Sequence, residues 1–358
     1  MNTPQHVEGI IFSNAVRYER MRELINYAFV GSNANNINVY LDMYPMVRSI
    51  YADTYQVKVD DYIGLAPSII NLCGHYRAFF RSAYGVESTF YVICGKNCPA
   101  LNARLVPGYN NVMNKRLEGP IRSVMDDMTK TNFDILNLLC PYLPDIHFIQ
   151  TDYETAVVMG YLIQNQKDKS IPNLIISKDI YPLQLVPQYN NTYFVRPYKD
   201  GPGRDLSVIL KPIFGQPEAE EYWKFYLTAK KSKIETTPIH PINIAPVMAL
   251  CGMPERSILS RINLQHALSM IMQIIGATPV ECSISSIYQS FMDLEARVPS
   301  IEMENRYHAI NVPYQVEALY KDSVEAKTMH LENKHDDSAV RMIASKYFAN
   351  TPLNLDSL

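Results

Sequence analysis

Short, dense apolar runs alternate with longer mixed stretches through the N-terminal half of this chain. Ile37 to Leu41 (INVYL), Thr89 to Ile93 (TFYVI), Ile146 to Gln150 (IHFIQ), Asn173 to Ile176 (NLII) and Thr192 to Val195 (TYFV) are compact and rich in β-branched or aromatic residues, which predicts strands. Asp60 to Tyr84, Met113 to Leu139 (broken near Gly119-Pro120) and Glu154 to Asn165 carry apolar residues at helical spacing. Val16 to Phe29 reads as an amphipathic helix that can pack through Met21, Leu24, Ile25 and Phe29. GSNANN (Gly31 to Asn36) reads as a turn, and Lys96 to Asn111 and KDGPGRD (Lys199 to Asp205) as loops. A second helical region runs with interruptions from Ala219 to Met292. The tail from Val298 is polar and charge-mixed, with helical pieces at Gln315 to Leu331 and Asp337 to Phe348.

Strands alternating with helices imply right-handed crossovers and a mainly parallel sheet, whose ligand crevice lies at the carboxyl ends of the strands. Asp42, Cys94 and the stretch Ser177 to Asp179 all fall at such ends. This end of the sheet is where the search for chemistry concentrates.

Composition narrows the picture. With 358 residues, 47% apolar and 19% charged, the chain can bury a full core and is not a disordered protein. Its 33 basic and 36 acidic residues give a formal charge of −3, which argues against a broadly basic surface for nucleic acid; such contact needs a local patch. The six cysteines form no CxxC framework, and Cys94-x-x-x-Cys98 has no second pair to complete a zinc site, so they read as structural thiols in a reduced compartment. The stretch MNTPQHVEGIIFSN lacks the pattern of a signal peptide, and no apolar run reaches the ~18 residues needed to span a bilayer. The expectation is a cytoplasmic protein with no membrane partner. The chain holds 25 Tyr and 16 Met against 14 Gly, a balance that favours packing and partner surfaces over glycine-built phosphate loops. No Ser/His/Asp nucleophile set or Walker loop is visible, and His240 and His266 read as packing or surface residues.

Five quoted segments, in order and spacing, resemble the 5′-3′ exonuclease/flap endonuclease family of PIN-like nucleases: INVYLD, FYVICG, TDYETAVVMGYL, NLIISKDIYPLQLV and VMALCGMPERSILSRINLQHALSMI. The resemblance spans Ile37 to Ile271. It implies an α/β fold with a PIN-like domain over 37–210, built on a central, mainly parallel sheet flanked by helices. A helical, degenerate helix-two-turn-helix-like region follows over 211–297, between an N-terminal extension over 1–36 and a C-terminal helical extension over 298–358.

The family cuts phosphodiesters with two divalent cations, which need a dense ring of carboxylates. By this resemblance Asp42, Glu154 and Asp179 are retained metal-site acids, whereas Cys94, Ala156, Val157, Tyr181, Met253 and Arg256 stand where the family has acids. Asp152 reads as a helix N-cap, with a place in the metal site as the alternative, and Lys178 beside Asp179 opposes a bound cation through like-charge repulsion. The hairpin glycines that hold a potassium ion against DNA in the family are absent here. LNARLVPGYN resembles the family's basic arch, with Arg104 in register and Asn110 where a Lys is usual; a plain surface loop is the alternative.

The implied function is a catalytically inactive nuclease-like protein with a structural or protein-binding role in a larger assembly. Divergent members in viruses and bacteriophages suggest by analogy a replication, transcription or virion setting, in host cytoplasm or virion. One alternative is a reduced nuclease with a single Mg²⁺ or Mn²⁺ on Asp42, Glu154 and Asp179. Another is a DNA- or RNA-binding protein that does not cleave, using Arg104, Lys115, Arg116 and Arg122 on phosphates. In the first and third readings no cofactor is expected.

Overall fold

The computed structural model describes residues 35–43, 65–95, 100–109, 120–177, 179, 181–195, 241–253, 256, 258–276, 280–321 and 336–347. The helix expected over Val16 to Phe29, the turn Gly31 to Asn36 up to residue 34, the KDGPGRD loop and the helical stretch 219–240 lie outside them, as do Cys98, Lys178 and His240.

Five parallel strands form one sheet in the order β3-β2-β1-β4-β5. They are β1 (Asn36–Asp42), β2 (Glu87–Cys94), β3 (Ile146–Gln150), β4 (Asn173–Ile176) and β5 (Thr192–Val195). The register sets Asp42 opposite Ile93 and Leu41 opposite Ile176. Parallel sheets are covered on both faces, so their strands are apolar throughout; β4 is NLII, every residue buried.

One face packs on α1 (Leu65–Tyr84) and α3 (Pro120–Leu139), with α10 (Asp337–Tyr347) against α3. Ile37, Val39, Leu41, Phe90, Val92, Ile146 and Leu174 point into this layer beside Ile69, Phe80, Leu136 and Val340. The other face carries α4 (Thr155–Asn165), a 3-10 turn (Tyr181–Leu185) and the helices α5 (Ile244–Cys251), α6 (Leu264–Ile275), α7 (Ile284–Ser290), α8 (Ser300–Ile310) and α9 (Val312–Lys321). Tyr40, Ile93, Ile149, Ile175 and Phe194 belong to one apolar cluster with residues of α4 and α5 there.

Several sequence expectations change in detail. The stretch 96–111, expected as loop, contains the short helix α2 (Ala100–Leu105), tied down where Asn102 Nδ2 donates to the Ala309 carbonyl at 2.9 Å. Among the described residues the helix expected from Met113 begins at Pro120, a residue suited to the first helical position because it lacks an N–H. The helix expected from Gln315 starts at Val312, and α8 was not anticipated; it packs on α5 and α2. Asp152 does not cap α4: the N-cap position is Glu154, and no side chain caps it.

Two polar features stiffen this frame. At the amino ends of β1 and β4, Asn173 Oδ1 accepts from Asn38 Nδ2 and from the Tyr40 hydroxyl, each at 3.2 Å. Below α5, buried Arg306 donates to the Leu259 carbonyl at 3.0 Å and to Glu302 at 2.5 Å, satisfying backbone between α5 and α6. Four of the five described cysteines are buried. No described helix is long and apolar enough to cross a membrane.

Candidate functional site

The strand order reverses between β1 and β4, so the connections leaving their carboxyl ends diverge and open a crevice. Asp42 closes β1, Ser177 follows β4 directly, and Glu154 enters from the start of α4. The close approach of α4 depends on Gly95 just after β2: a Cβ there would lie 2.3 Å from the Thr155 amide nitrogen. The Gly95 amide donates to Thr155 Oγ1 at 3.1 Å.

Asp42 is buried, and its Oδ2 accepts from the Ser177 hydroxyl at 2.5 Å. The same hydroxyl oxygen accepts from the Asp179 amide at 3.0 Å, so one serine ties Asp42 to the turn that carries Asp179. Burial raises the Asp42 carboxyl to about 7, against the lowering effect of Ser177.

Glu154 Oε1 accepts from the Tyr109 hydroxyl at 2.6 Å and from Arg256 Nη1 at 2.7 Å. Arg256 Nη2 donates to Asp179 Oδ2 at 2.8 Å. The guanidinium therefore spans two carboxylates with two nitrogens. Its central carbon lies 4.3 Å from the Tyr181 ring centroid and 6.0 Å from that of Tyr109, within cation-π range. Burial opposes the Arg256 charge, yet Glu154, Tyr109 and Asp179 outweigh it and hold the arginine well above its ordinary range. Burial likewise raises Glu154, while Arg256 and Tyr109 pull it back down.

Arg256 reaches this place from the turn between α5 and α6. Gly252 takes φ +77, open to glycine at little cost, and Met253 pairs with Ile258 in an isolated antiparallel bridge. The Arg256 amide donates to the Met253 carbonyl at 2.9 Å, closing the turn. Met253 is buried and its sulfur accepts from the Tyr181 hydroxyl at 3.2 Å.

Each residue singled out in the sequence can now be placed. Asp42, Glu154 and Asp179 come to one crevice, and Arg256, Tyr181 and Met253 come to it with them. Cys94 ends β2 as a buried thiol, raised to about 12 by burial and by Asp42. Ala156 and Val157 are buried in the first turns of α4 and belong to the apolar core. Of the suggested phosphate contacts, Arg104 is exposed on α2, Lys115 and Arg116 lie outside the described residues, and Arg122 lies in α3. His266 is exposed in the first turn of α6.

Sequence reading missed the part played by Tyr109 and gave no role to Ser177. Tyr109 stands inside the quoted LNARLVPGYN, but nothing local marks its hydroxyl as a partner 45 positions from its carboxylate.

This set does not suit a pair of divalent cations. Hard cations need several oxygen ligands and negative charge, whereas a guanidinium already holds Glu154 and Asp179, and two tyrosine rings flank it. No group of three or more His, Cys, Asp or Glu among the described residues is arranged to hold a metal ion.

Comparison of the fold with solved structures decides its type. A bacteriophage T5 flap endonuclease, in a pseudo-enzyme-product complex with DNA and metal ions, matches with a TM-score of 0.50 at 11% identity, covering 87% of this chain and 99% of that one. The fold is flap-endonuclease-like. The T5 5′-exonuclease with bound zinc matches with a TM-score of 0.51 at 11% identity over 88% of this chain and 98% of that one. A T5 protein co-crystallised with metal ions gives 0.50 at 10% identity, over 88% and 98%. No protein-family model matches the sequence, and no curated protein sequence matches it significantly. At such identities the likeness extends to the fold, while the crevice chemistry must be judged from this chain's own residues.

Proposed function

We propose that this protein is a flap-nuclease fold that does not cleave nucleic acid and serves as a structural or protein-binding component of a larger assembly. The observation that carries the reading is the Arg256 guanidinium bonded to both Glu154 and Asp179 in the crevice at the carboxyl ends of β1 and β4. A fixed positive charge there repels a divalent cation and occupies the carboxylate oxygens it needs. By extension from the T5 likeness, the setting is viral or bacteriophage, in host cytoplasm or virion, with a replication, transcription or assembly complex as protein partner.

A second reading keeps a single Mg²⁺ or Mn²⁺ on Asp42, Glu154 and Asp179. It draws on Asp42 Oδ1 and Glu154 Oε2, buried oxygens that lack a hydrogen-bond partner. It requires Arg256 to leave two carboxylates at once, which breaks two charge-assisted hydrogen bonds. A third reading, binding of DNA or RNA without cleavage, has exposed Arg104 in its favour.

The deciding assay is cleavage of a labelled 5′-flap and of single-stranded DNA with Mg²⁺ or Mn²⁺, beside an Asp42→Ala control. Folded protein is expected to leave both substrates intact. Cleavage lost in the control would establish the one-metal site instead. Retention of the DNA without cleavage, weakening steeply with salt, would favour the third reading.

A further inference from the structure

We propose that Arg256 is the resident cation of the crevice, a built-in replacement for soluble cations, and that the cavity it fills takes a small cation from solution once the side chain is removed. This deepens the non-cleaving reading and rests on its placement of Arg256.

Geometry supports it first. A guanidinium commonly pairs with one carboxylate through two parallel bonds. Here its two nitrogens go to different carboxylates, Glu154 at 2.7 Å and Asp179 at 2.8 Å, so the group bridges ligands as a metal ion does. The guanidinium carbon lies 4.3 Å over the Tyr181 ring, a contact that suits a flat, weakly hydrated guanidinium better than an ammonium.

Charge supports it next. Asp42, Glu154 and Asp179 supply the acids of the crevice, and Cys94, Ala156, Val157 and Tyr181 around them supply none. Glu154 is 4% exposed and Arg256 14%, so neither charge is well screened by water. Removing one partner of such a pair leaves an uncompensated buried charge, the costly case. Asp42 Oδ1 and Glu154 Oε2, buried and unpartnered, are oxygens a mobile cation could use once Arg256 is gone. With fewer acids in the crevice, one arginine offsets a larger share of their charge than it would in a full metal-binding ring.

The chemical class of ligand is therefore a small hard divalent cation or the planar guanidinium ion itself. Thermal unfolding tests this on the full chain: wild type, Arg256→Ala, and Arg256→Ala combined with Glu154→Gln and Asp179→Asn. Each is measured in EDTA, in millimolar MnCl2 or MgCl2, in low-millimolar guanidinium chloride, and in NaCl of matched ionic strength.

Wild type is expected to ignore all additions. Arg256→Ala should lose roughly 5–10 °C in Tm and regain part of it with Mn²⁺ or guanidinium but not NaCl. The triple variant should lose less and show no cation response. Should Arg256→Ala fail to fold, recovery of folding in the triple variant carries the same support, because only the stranded charge has been removed.

Insensitivity of folded Arg256→Ala to every cation would overturn the proposal, as would a triple variant no better folded than the single one. Wild type stabilised by Mn²⁺ through Asp42, yet without cleavage, would overturn this inference and leave the non-cleaving reading intact. Cleavage by a wild type whose Tm ignores metals would do the reverse.

Discussion

Glu154 and Arg256 stand 102 positions apart in the chain and 2.7 Å apart in the fold. One is the N-cap residue of α4, the other sits in the turn between α5 and α6, so their ion pair ties the sheet layer to the C-terminal helices. A crevice closed in this way is a structural joint. Its energetics should accordingly show up in stability measurements.

Asp42 should make that stability depend on pH. An aspartate in the unfolded chain ionises near ~3.9, whereas burial holds the folded-state group to about 7. Between these values the folded protein binds a proton that the unfolded chain has released, so stability falls as pH rises through the window. The full penalty, on the order of 4 kcal/mol, is reached above the folded value. Asp42→Asn cannot ionise and still accepts from Ser177; urea midpoints from about pH 5 to about pH 8 should decline less steeply in the variant. Glu154, also raised by burial, keeps part of the slope. Identical slopes would show that Asp42 is ionised throughout.

Tyr109→Phe removes one donor from Glu154 Oε1 and leaves Arg256 on that oxygen. A buried carboxylate that loses a hydrogen bond costs about 1–3 kcal/mol. Urea unfolding should register this as a lower midpoint at unchanged m-value. A neutral result would mean that the tyrosine hydroxyl contributes nothing net.

Two glycines of the frame should respond differently to alanine. At Gly95 the added Cβ meets backbone, the Thr155 nitrogen at 2.3 Å and the Tyr153 carbonyl oxygen at 2.6 Å, which cannot yield without moving α4 off the sheet. At Gly160 it meets only side-chain ends, Val316 Cγ2 at 2.6 Å and Leu185 Cδ2 at 2.8 Å. Helix propensity returns roughly 1 kcal/mol at this second position. Gly95→Ala should cost about 3 kcal/mol or more and exceed Gly160→Ala by at least ~2 kcal/mol in paired unfolding curves. Equal losses would refute the assignment of Gly95 as the close-approach point.

The strands were legible because fully covered parallel strands announce themselves as short apolar runs. Ile146–Gln150, Asn173–Ile176 and Thr192–Val195 appear in the fold with the bounds their patterns predict. The elements that escaped have the opposite character. The six residues of α2 carry too little periodicity, and Asn102 on the Ala309 carbonyl is a contact between distant segments. The mixed polarity of α8 hides Met303, Ala309 and Ile310, whose burial depends on partners such as α5.

By itself the sequence determined the alternating layers, the strand-end position of Asp42 and the place of Asp179 just beyond β4, since local patterns of apolar and polar residues decide which segments become strands and where they stop. It also showed which acids the resemblance leaves unmatched. Tertiary structure alone decided what fills their place. Arg256 stands 102 positions from Glu154 and 77 from Asp179, and only folding brings it between them beside the Tyr181 ring. The reason is physical: an ion pair is set by distance in space and by the removal of water, and neither quantity is written in the residues next to it along the chain.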